Sequence, residues 1–148
     1  YLKGTKMVEE VKKDDELFAV IVRASFTKEG VNFFTPNDFS QQLAYMSHPV
    51  GKVIEPHVHN PVKREVFFTK EVLFIRKGKV RVDFYTEDKE YVLSKVLCQG
   101  DVILLSSGGH GFEVLEELEM IEVKQGPYAG DQDKTRFECN IENYKIED

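Results

Sequence analysis

Short runs of β-branched and aromatic residues follow one another along almost the whole chain, and this pattern limits the possible fold more than any other feature. Examples are LFAVIVRASF at 17–26, VILLS at 102–106 and LEMIEVK at 118–124. Residues that favour turns separate these runs, and no stretch shows a convincing 3.6-residue helical period. The pattern predicts an all-β fold, an antiparallel sandwich or barrel with little helix.

The stretch EVLFIRKGKVRVDFY at 71–85 gives the clearest local prediction. Two alternating runs flank Lys77 and Gly78, and glycine accepts the positive φ that tight turns require. We therefore predict a hairpin that reverses at Lys77-Gly78. The sequence QGD at 99–101 predicts a second tight turn.

Length and charge restrict the class of protein. A chain of 148 residues is long enough for one domain with its own core, so we predict a single domain over 1–148. The 26 acidic residues outnumber the 20 basic ones, for a net charge of -6, which argues against a nucleic-acid partner. No apolar run approaches the roughly 18 residues of a membrane span. We expect neither nucleic acid nor a membrane as partner.

Cysteine use points to a reducing compartment. The two cysteines, Cys98 and Cys139, are far apart and form no CxxC pair. That is too few for a disulfide scaffold, so a cytoplasmic location is expected.

Two of the four histidines stand two positions apart, in VIEPHVHNP at 53–61. Side chains alternate along a strand, so His57 and His59 point the same way if this stretch is extended. Two neighbouring imidazoles suit a transition metal. The alternative is a pair of solvated histidines on an edge strand. His48 is expected to be a strand-end histidine rather than a ligand.

Glu71 opens a predicted strand whose same face continues with Leu73 and Ile75. A carboxylate directed into the core is costly unless it is paired or coordinates a cation. The alternative for Glu71 is a strand-end side chain that reaches solvent.

His110 lies in SSGGHGF, where flanking glycines let the backbone bend and approach another group closely. Its face continues with Phe112 and Val114, which we predict to be turned inward. A phosphate-binding loop is disfavoured, because no helix and no Lys-Ser/Thr pair follow.

Together these residues resemble the first motif of the cupin superfamily. That motif has a Gly, five residues, His-x-His, a short gap, Glu, six residues and a Gly. Gly51, His57 and His59 match its first half, and Glu71 and Gly78 match its second half. The gap of eleven residues after His59 is longer than the family's usual three or four.

The second cupin motif is matched in outline by GDVILLSSGGHGF, from Gly100 through His110. Ser106 stands where the family usually has Pro, and one residue rather than two separates Gly108 from His110. Because of the long gap in the first motif, Glu65 is a rival to Glu71 as the carboxylate ligand. Glu71 is preferred because it alone keeps the spacing to Gly78.

The resemblance implies a single-domain jelly-roll, the double-stranded β-helix barrel of the cupins. It places the barrel core at about 40–125 and N-terminal strands at 17–35 packed on this core or on a partner in a homodimer. It also implies one divalent metal ion, Fe, Mn, Ni or Zn, and a small-molecule ligand. The metal ligands that it implies are His57, His59, Glu71 and His110.

Several functions follow from the resemblance. One is a metal-dependent isomerase, epimerase or dioxygenase, with Glu65 as a candidate general base. GGHGF and VKQGPYAG also resemble segments of cupins from sugar and polysaccharide contexts, which favours a carbohydrate derivative as substrate. The alternatives are a non-catalytic binding or sensor protein and a metal-free sugar-nucleotide epimerase. Lys63 and Arg64, in the long gap, either meet an anionic substrate or belong to a solvated loop.

Overall fold

A computed structural model describes residues 7–148, and within this range the protein is all-β with a single 3-10 turn and no α-helix. The predicted fold class, an antiparallel β fold of barrel or jelly-roll type, is thereby confirmed. No helix in this range has the length and apolar character needed to cross a bilayer. The elements are β1 (Val8–Lys13), β2 (Glu16–Val22), β3 (Gly30–Phe33), β4 (Ala44–Ser47), β5 (Glu71–Tyr85), β6 (Tyr91–Cys98), β7 (Val102–Leu105), β8 (Gly109–Lys124) and the 3-10 turn Gly130–Asp133.

The chain divides into two compact units, which are described separately. The sheet unit comprises the described residues up to Phe26 together with Phe68–Asp148, and the inserted unit is Thr27–Phe67. The predicted single domain over 1–148 stays a prediction, and its first six residues lie outside the described part of the chain.

The sheet unit is one curled antiparallel sheet built around the long strand β5. β8 pairs with one side of β5 over its whole length, while β6 and β7 share the other side. β2 pairs with β7, and β1 pairs with β2, so the order is β1-β2-β7-β5-β6. The predicted strand at 17–26 therefore pairs, over its β2 residues, with strands of its own chain.

The predicted hairpin at Lys77-Gly78 is wrong, because β5 continues through both residues without reversing. Gly78 does adopt a positive φ of 87°, but in an irregular stretch where the β5–β8 register shifts. A Cβ on Gly78 would lie 1.9 Å from the carbonyl oxygen of Glu117 in β8. Irregularities of this kind bend a strand and increase its twist, so Gly78 marks the bend of β5.

The predicted turn at 99–101 exists, but it bends the chain without reversing it. The backbone N–H of Asp101 donates to the carbonyl of Cys98 at 3.0 Å, and Gly100 has a φ of 87°. β6 and β7 on either side of this turn both run antiparallel to β5. They act as one long strand, broken opposite the bend of β5.

Curling of the sheet brings its first strand against β6 through a buried ionic network. Glu9 of β1 accepts hydrogen bonds from Lys95 of β6, at 2.9 Å, and from Arg23. The Arg23 guanidinium also contacts Asp101 at 3.1 Å. Burial alone would raise the pKa of Glu9, but the hydrogen bonds and charges of Arg23 and Lys95 hold it below its ordinary value. The network ties together strands at opposite ends of the sheet order.

A second polar cluster lies on β5 and β6, on the opposite face of β5 from the core residue Val82. The Arg81 guanidinium forms two hydrogen bonds with the Asp83 carboxylate, at 2.8 and 3.1 Å, and Ser94 also donates to Asp83. The C-terminal segment covers this cluster: the Tyr144 ring lies 3.5 Å from the guanidinium carbon of Arg81. The segment therefore buries polar side chains rather than an apolar face.

The apolar core of the sheet unit lies between its curled strands. The buried side chains that form it come from β1, β2, β5, β6 and β7. The residues of this cluster are Val11, Phe18, Ala19, Ile21, Leu73, Ile75, Val80, Val82, Phe84, Leu93, Leu97, Ile103 and Leu105.

The inserted unit contains one two-stranded ribbon, β3–β4, followed by a long exposed stretch. The ribbon pairs Gly30 with Ser47 and Phe33 with Ala44. Gly51, with a φ of 88°, occupies the turn that follows. The next residues, 53–67, form what we call the histidine segment. They adopt no regular secondary structure, although part of this stretch was expected to be a strand, and all of them are exposed.

Candidate metal centre

Curling of the sheet unit brings Glu71 and His110 together. In the β5–β8 ladder Glu71 lies opposite Lys124, whereas His110 lies opposite Phe84, 13 residues further along β5 (84 minus 71). A straight strand would separate such positions by roughly 43 Å at 3.3 Å per residue. Yet Nε2 of His110 lies 4.0 Å from Oε2 of Glu71. The two residues therefore form a pair only because β5 bends along its length.

The predicted inward direction of Glu71 is confirmed by its neighbours. Leu73 and Ile75, on the same face of β5, are 2% and 0% exposed. On β8 the register agrees with the predicted direction, because Phe112 and Val114 lie opposite the core residues Val82 and Val80, but the two side chains are still 41% and 58% exposed. β8 is the outer strand of the described sheet, and the His110 side chain on it is 27% exposed.

Burial and neighbouring charges shift the pKa of both members of the pair. Burial lowers the pKa of the His110 imidazole, and the positive charges of Lys134 and Lys124 lower it further. Burial raises the pKa of the Glu71 carboxyl, and the negative charge of Glu122 adds to this effect. A neutral imidazole has a free ring nitrogen lone pair, which is what metal coordination or general-base chemistry requires.

His57 and His59 form a second pair, within the inserted unit. Their ring centroids are 5.3 Å apart in an edge-to-face arrangement. Nδ1 of His57 lies 2.9 Å from the backbone carbonyl oxygen of Glu55. A carbonyl only accepts, so Nδ1–H is the donor and a neutral ring leaves Nε2 free. This arrangement is typical of histidines that bind metals through Nε2.

Each pair offers donor atoms that suit a divalent transition metal, but neither pair forms a complete site. Ligand atoms lie about 2.0–2.2 Å from such an ion, which puts two of them about 3–3.5 Å apart at tetrahedral or octahedral angles. Oε2 of Glu71 and Nε2 of His110, which are 4.0 Å apart, would need to approach by about 0.5–1 Å. Within each unit, the described residues gather no group of three or more His, Cys, Asp or Glu able to hold a metal ion. The four predicted ligands thus lie in two pairs, one in each unit, which we call the two half-sites of the predicted metal site.

The remaining candidates lie in the inserted unit and are exposed. The Glu65 carboxylate forms an ion pair with Lys63 at 3.3 Å, with both side chains largely in solvent. The Arg64 guanidinium donates to the carbonyl of Val62 at 3.5 Å. His48 is exposed as well, in the linker after β4. Whether Glu65 acts as a general base stays a prediction.

The sequence interpretation missed the charged residues around Glu71. Lys124, opposite Glu71 in the ladder, forms an ion pair with Asp133 at 3.0 Å. Thr69 donates to the other oxygen of Asp133 at 2.6 Å. A signal was present in LEMIEVK, since Glu122 and Lys124 alternate with Ile121 and Val123 and so share one face of β8. The proximity of Glu122 and Lys124 to Glu71 depends on the register between β5 and β8, and the alternation of residues within one strand does not reveal that register.

Comparison with known proteins adds no identification. The chain matches no protein-family model, and searches of curated proteins and of solved structures give no significant match.

Proposed function

We propose that this protein is a metal-binding cupin that acts on a small molecule, with a carbohydrate derivative as the preferred substrate class. The four ligands in this proposal are His57, His59, Glu71 and His110, and the ion is Fe, Mn, Ni or Zn. The observation that carries the proposal is the 4.0 Å approach of the Glu71 and His110 side chains, from residues that are distant along both the sequence and the ladder. A carboxylate and imidazoles together suit these ions.

The residues of the two half-sites would have distinct tasks. A bound ion of this kind polarises a carbonyl or enol oxygen, or activates water or dioxygen. Glu71 would supply negative charge to the site, and the depressed pKa of His110 keeps its imidazole neutral near pH 7. Glu65, if it approaches the substrate, would accept a proton as general base. An isomerase, an epimerase and a dioxygenase all fit this arrangement.

A metal-free epimerase is a second candidate, and the same pair favours it. Such enzymes use a histidine beside an acid as the base and a tyrosine as the acid. Glu71 and His110 have the side chains of that base pair. Tyr85 does not complete it, because it follows Phe84 on β5 and so faces away from the side of the sheet that carries His110. A protein that binds its ligand without turnover would use the same half-sites.

The test is the metal content of protein purified without a metal-chelating column. We expect about one ion per chain, and we expect His110→Ala and His57→Ala each to lower the occupancy at least tenfold. His48→Ala is the matched control, because His48 is an exposed histidine of the inserted unit outside the ligand set. This variant should keep full occupancy.

Three results would change the conclusion. Wild-type protein that acquires no stoichiometric ion, even when each of the four metals is supplied, would overturn the metal proposal. Turnover of a sugar nucleotide that survives complete metal removal would establish the metal-free epimerase. Bound metal or sugar without turnover of carbonyl or sugar substrates would identify a binding protein.

A further inference from the structure

Residues 144–147, which we call the covering segment, add to β6 in the manner of a short parallel strand. The N–H of Ser94 donates to the carbonyl of Lys145 at 2.8 Å, and the N–H of Glu147 donates to the carbonyl of Ser94 at 3.0 Å. Ile146 lies opposite Ser94 in an isolated parallel bridge. Main-chain hydrogen bonds of this kind attach extended peptides to the edges of sheets in recognition complexes.

A directed chain of hydrogen bonds from the sheet also recognises the backbone of the covering segment. The N–H of Lys145 donates to the Tyr91 hydroxyl at 2.9 Å, and this hydroxyl lies 2.7 Å from Oγ of Ser94. Ser94 donates its only hydroxyl hydrogen to Asp83, so Tyr91 is the donor in its contact with Ser94. The chain ends at a carboxylate, and it presents one oriented acceptor, the Tyr91 oxygen, to the segment.

The Arg81 guanidinium provides a flat seat for one aromatic side chain. Asp83 binds one edge of it with two hydrogen bonds, at 2.8 and 3.1 Å, and Glu113 of β8 lies 2.6 Å from one of its nitrogens. These two carboxylates fix the plane of the guanidinium, and its face contacts the Tyr144 ring, with 3.5 Å from the guanidinium carbon to the ring centroid. Such a cation–π contact is attractive. The seat is therefore built from residues of the sheet and not from the segment.

The covering segment gains little burial from these contacts. Tyr144 and Ile146 stay 41% and 53% exposed, whereas Arg81 and Asp83 beneath the segment are 8% and 6% exposed. Release of the segment would hydrate polar groups rather than uncover an apolar face, so the hydrophobic effect opposes release only weakly. The preceding residues 138–143 form no regular secondary structure and nearly all are exposed, which gives the segment freedom to leave its seat.

We propose that this face of β5 and β6 is a docking site for an extended peptide of a partner protein, and that the covering segment occupies the site reversibly until such a peptide replaces it. The site takes an aromatic side chain on Arg81 and main-chain hydrogen bonds at Ser94. Two carboxylates surround the one guanidinium, so a basic residue after the aromatic one suits the local charge, as Lys145 follows Tyr144. The inference goes beyond the metal proposal, because Arg81 and His110 lie on opposite faces of the sheet.

Peptide binding tests the site directly. The probe is a fluorescein-labelled synthetic peptide with the sequence of residues 141–148, IENYKIED. It should bind Tyr144→Ala at least fivefold more tightly than wild type, because a weakened covering segment leaves the site open in a larger fraction of molecules. Tyr128→Ala is the matched control and should bind like wild type, because Tyr128 is an exposed tyrosine outside the site. Fluorescence anisotropy measures the affinity of all three proteins.

The contacts of the bound peptide are tested with Tyr144→Ala as the receiving protein. A peptide that itself carries Tyr144→Ala lacks the ring for Arg81 and should bind at least fivefold more weakly. Adding Arg81→Lys to the protein should weaken binding of the original peptide similarly, because an ammonium group offers no flat face. If Arg81→Lys does not fold, Tyr91→Phe removes the acceptor for the peptide N–H and should weaken binding at least threefold.

Amide hydrogen exchange in the wild-type protein tests release of the segment without an added peptide. The N–H of Ser94 is bonded to the covering segment, whereas the N–H of Ile75 is bonded to the carbonyl of Asp101 at 2.9 Å within the sheet unit. Relative to their intrinsic rates, we expect Ser94 to exchange at least tenfold faster than Ile75. Tyr144→Ala should accelerate exchange at Ser94 and leave Ile75 unchanged.

Four results would overturn the proposal. Equal exchange at Ser94 and Ile75 would mean that the segment leaves only when the whole sheet unfolds. Absence of peptide binding to Tyr144→Ala would remove the docking site, and equal affinity for wild type, Tyr128→Ala and Tyr144→Ala would place binding elsewhere. Self-association of the wild type that is lost in Tyr144→Ala would assign the site to a second copy of this chain instead of a separate partner.

Discussion

The sheet unit and the inserted unit contain similar kinds of residues, but the burial of these residues differs greatly between the two units. Valines of the sheet unit such as Val80 and Val82 are fully buried, whereas Val50 and Val58 of the inserted unit are almost fully exposed. Within Thr27–Phe67, Thr35 is the one buried residue. The same residue type should therefore contribute to stability in one unit and have little effect in the other. Three pairs of matched substitutions test this difference.

The largest difference is expected for glutamates in ion pairs. Glu9→Gln leaves Lys95, and in part Arg23, buried without a compensating charge, which costs about 3–5 kcal/mol. Glu65→Gln removes an exposed pair with Lys63 and should change the free energy of unfolding by less than about 1 kcal/mol. Urea unfolding followed by circular dichroism measures both. Similar losses at the two sites would show that the network around Glu9 is open to water.

The pH dependence sharpens the prediction for Glu9. The pKa of its carboxyl is lower in the folded protein than its ordinary value of 4.5. The ionised form is therefore favoured by folding, and its contribution is complete above pH 4.5 and is lost as the pH falls through the lower folded value. The unfolding free energy of Glu9→Gln should fall less steeply in acid than that of the wild type. Parallel pH curves for the two proteins would contradict the assignment.

Glycines with positive φ give the second comparison. Gly78 and Gly51 have φ values of 87° and 88°, so alanine has a similar backbone cost at either site, about 1–2 kcal/mol. At Gly78 the new Cβ would also collide with the Glu117 carbonyl, whereas at Gly51 nothing lies within 4 Å. Gly78→Ala should therefore cost about 2–4 kcal/mol in total, and Gly51→Ala no more than about 2. Equal losses in urea unfolding would mean that β8 does not approach Gly78 closely in solution.

Valine truncation should give the smallest difference. Val82→Ala removes two buried methyl groups from the core and should cost about 2 kcal/mol. Val50→Ala, at a fully exposed valine, should stay within about 0.5 kcal/mol of the wild type. Thermal unfolding of the two variants under identical conditions provides the measurement. A loss at Val50 that matches the loss at Val82 would break the comparison, because it would place Val50 in a packed environment.

Much of the sheet unit was predictable from local pattern. Alternation on β5 correctly placed Leu73 and Ile75 in the core, and Glu71 beside them. It failed at Gly78, because two alternating runs joined by a glycine look alike whether the chain reverses there or continues through a bend. The long pairing of β5 with β8 decides between these outcomes, and pairing between distant segments leaves no local signal.

The candidate site was predictable in part. The cupin-like spacing selected Glu71 and His110, which are 39 residues apart in sequence (110 minus 71), and the structure brings them together. Exposure of the histidine segment could not be predicted, because its valines and isoleucines indicate burial without indicating what covers them. Phe112 shows the same limit on β8: its apolar character is evident in the sequence, but its burial depends on a neighbouring strand.

The polar character of the β5–β6 cluster matters while the chain is being synthesised. Tyr144 and the residues beside it are synthesised after the strands they cover, so a nascent sheet presents Arg81 and Asp83 to water before its cover exists. Charged side chains on a temporarily open sheet oppose association with other chains, which apolar ones would promote. This face of the sheet is therefore protected from aggregation until the residues around Tyr144 cover it.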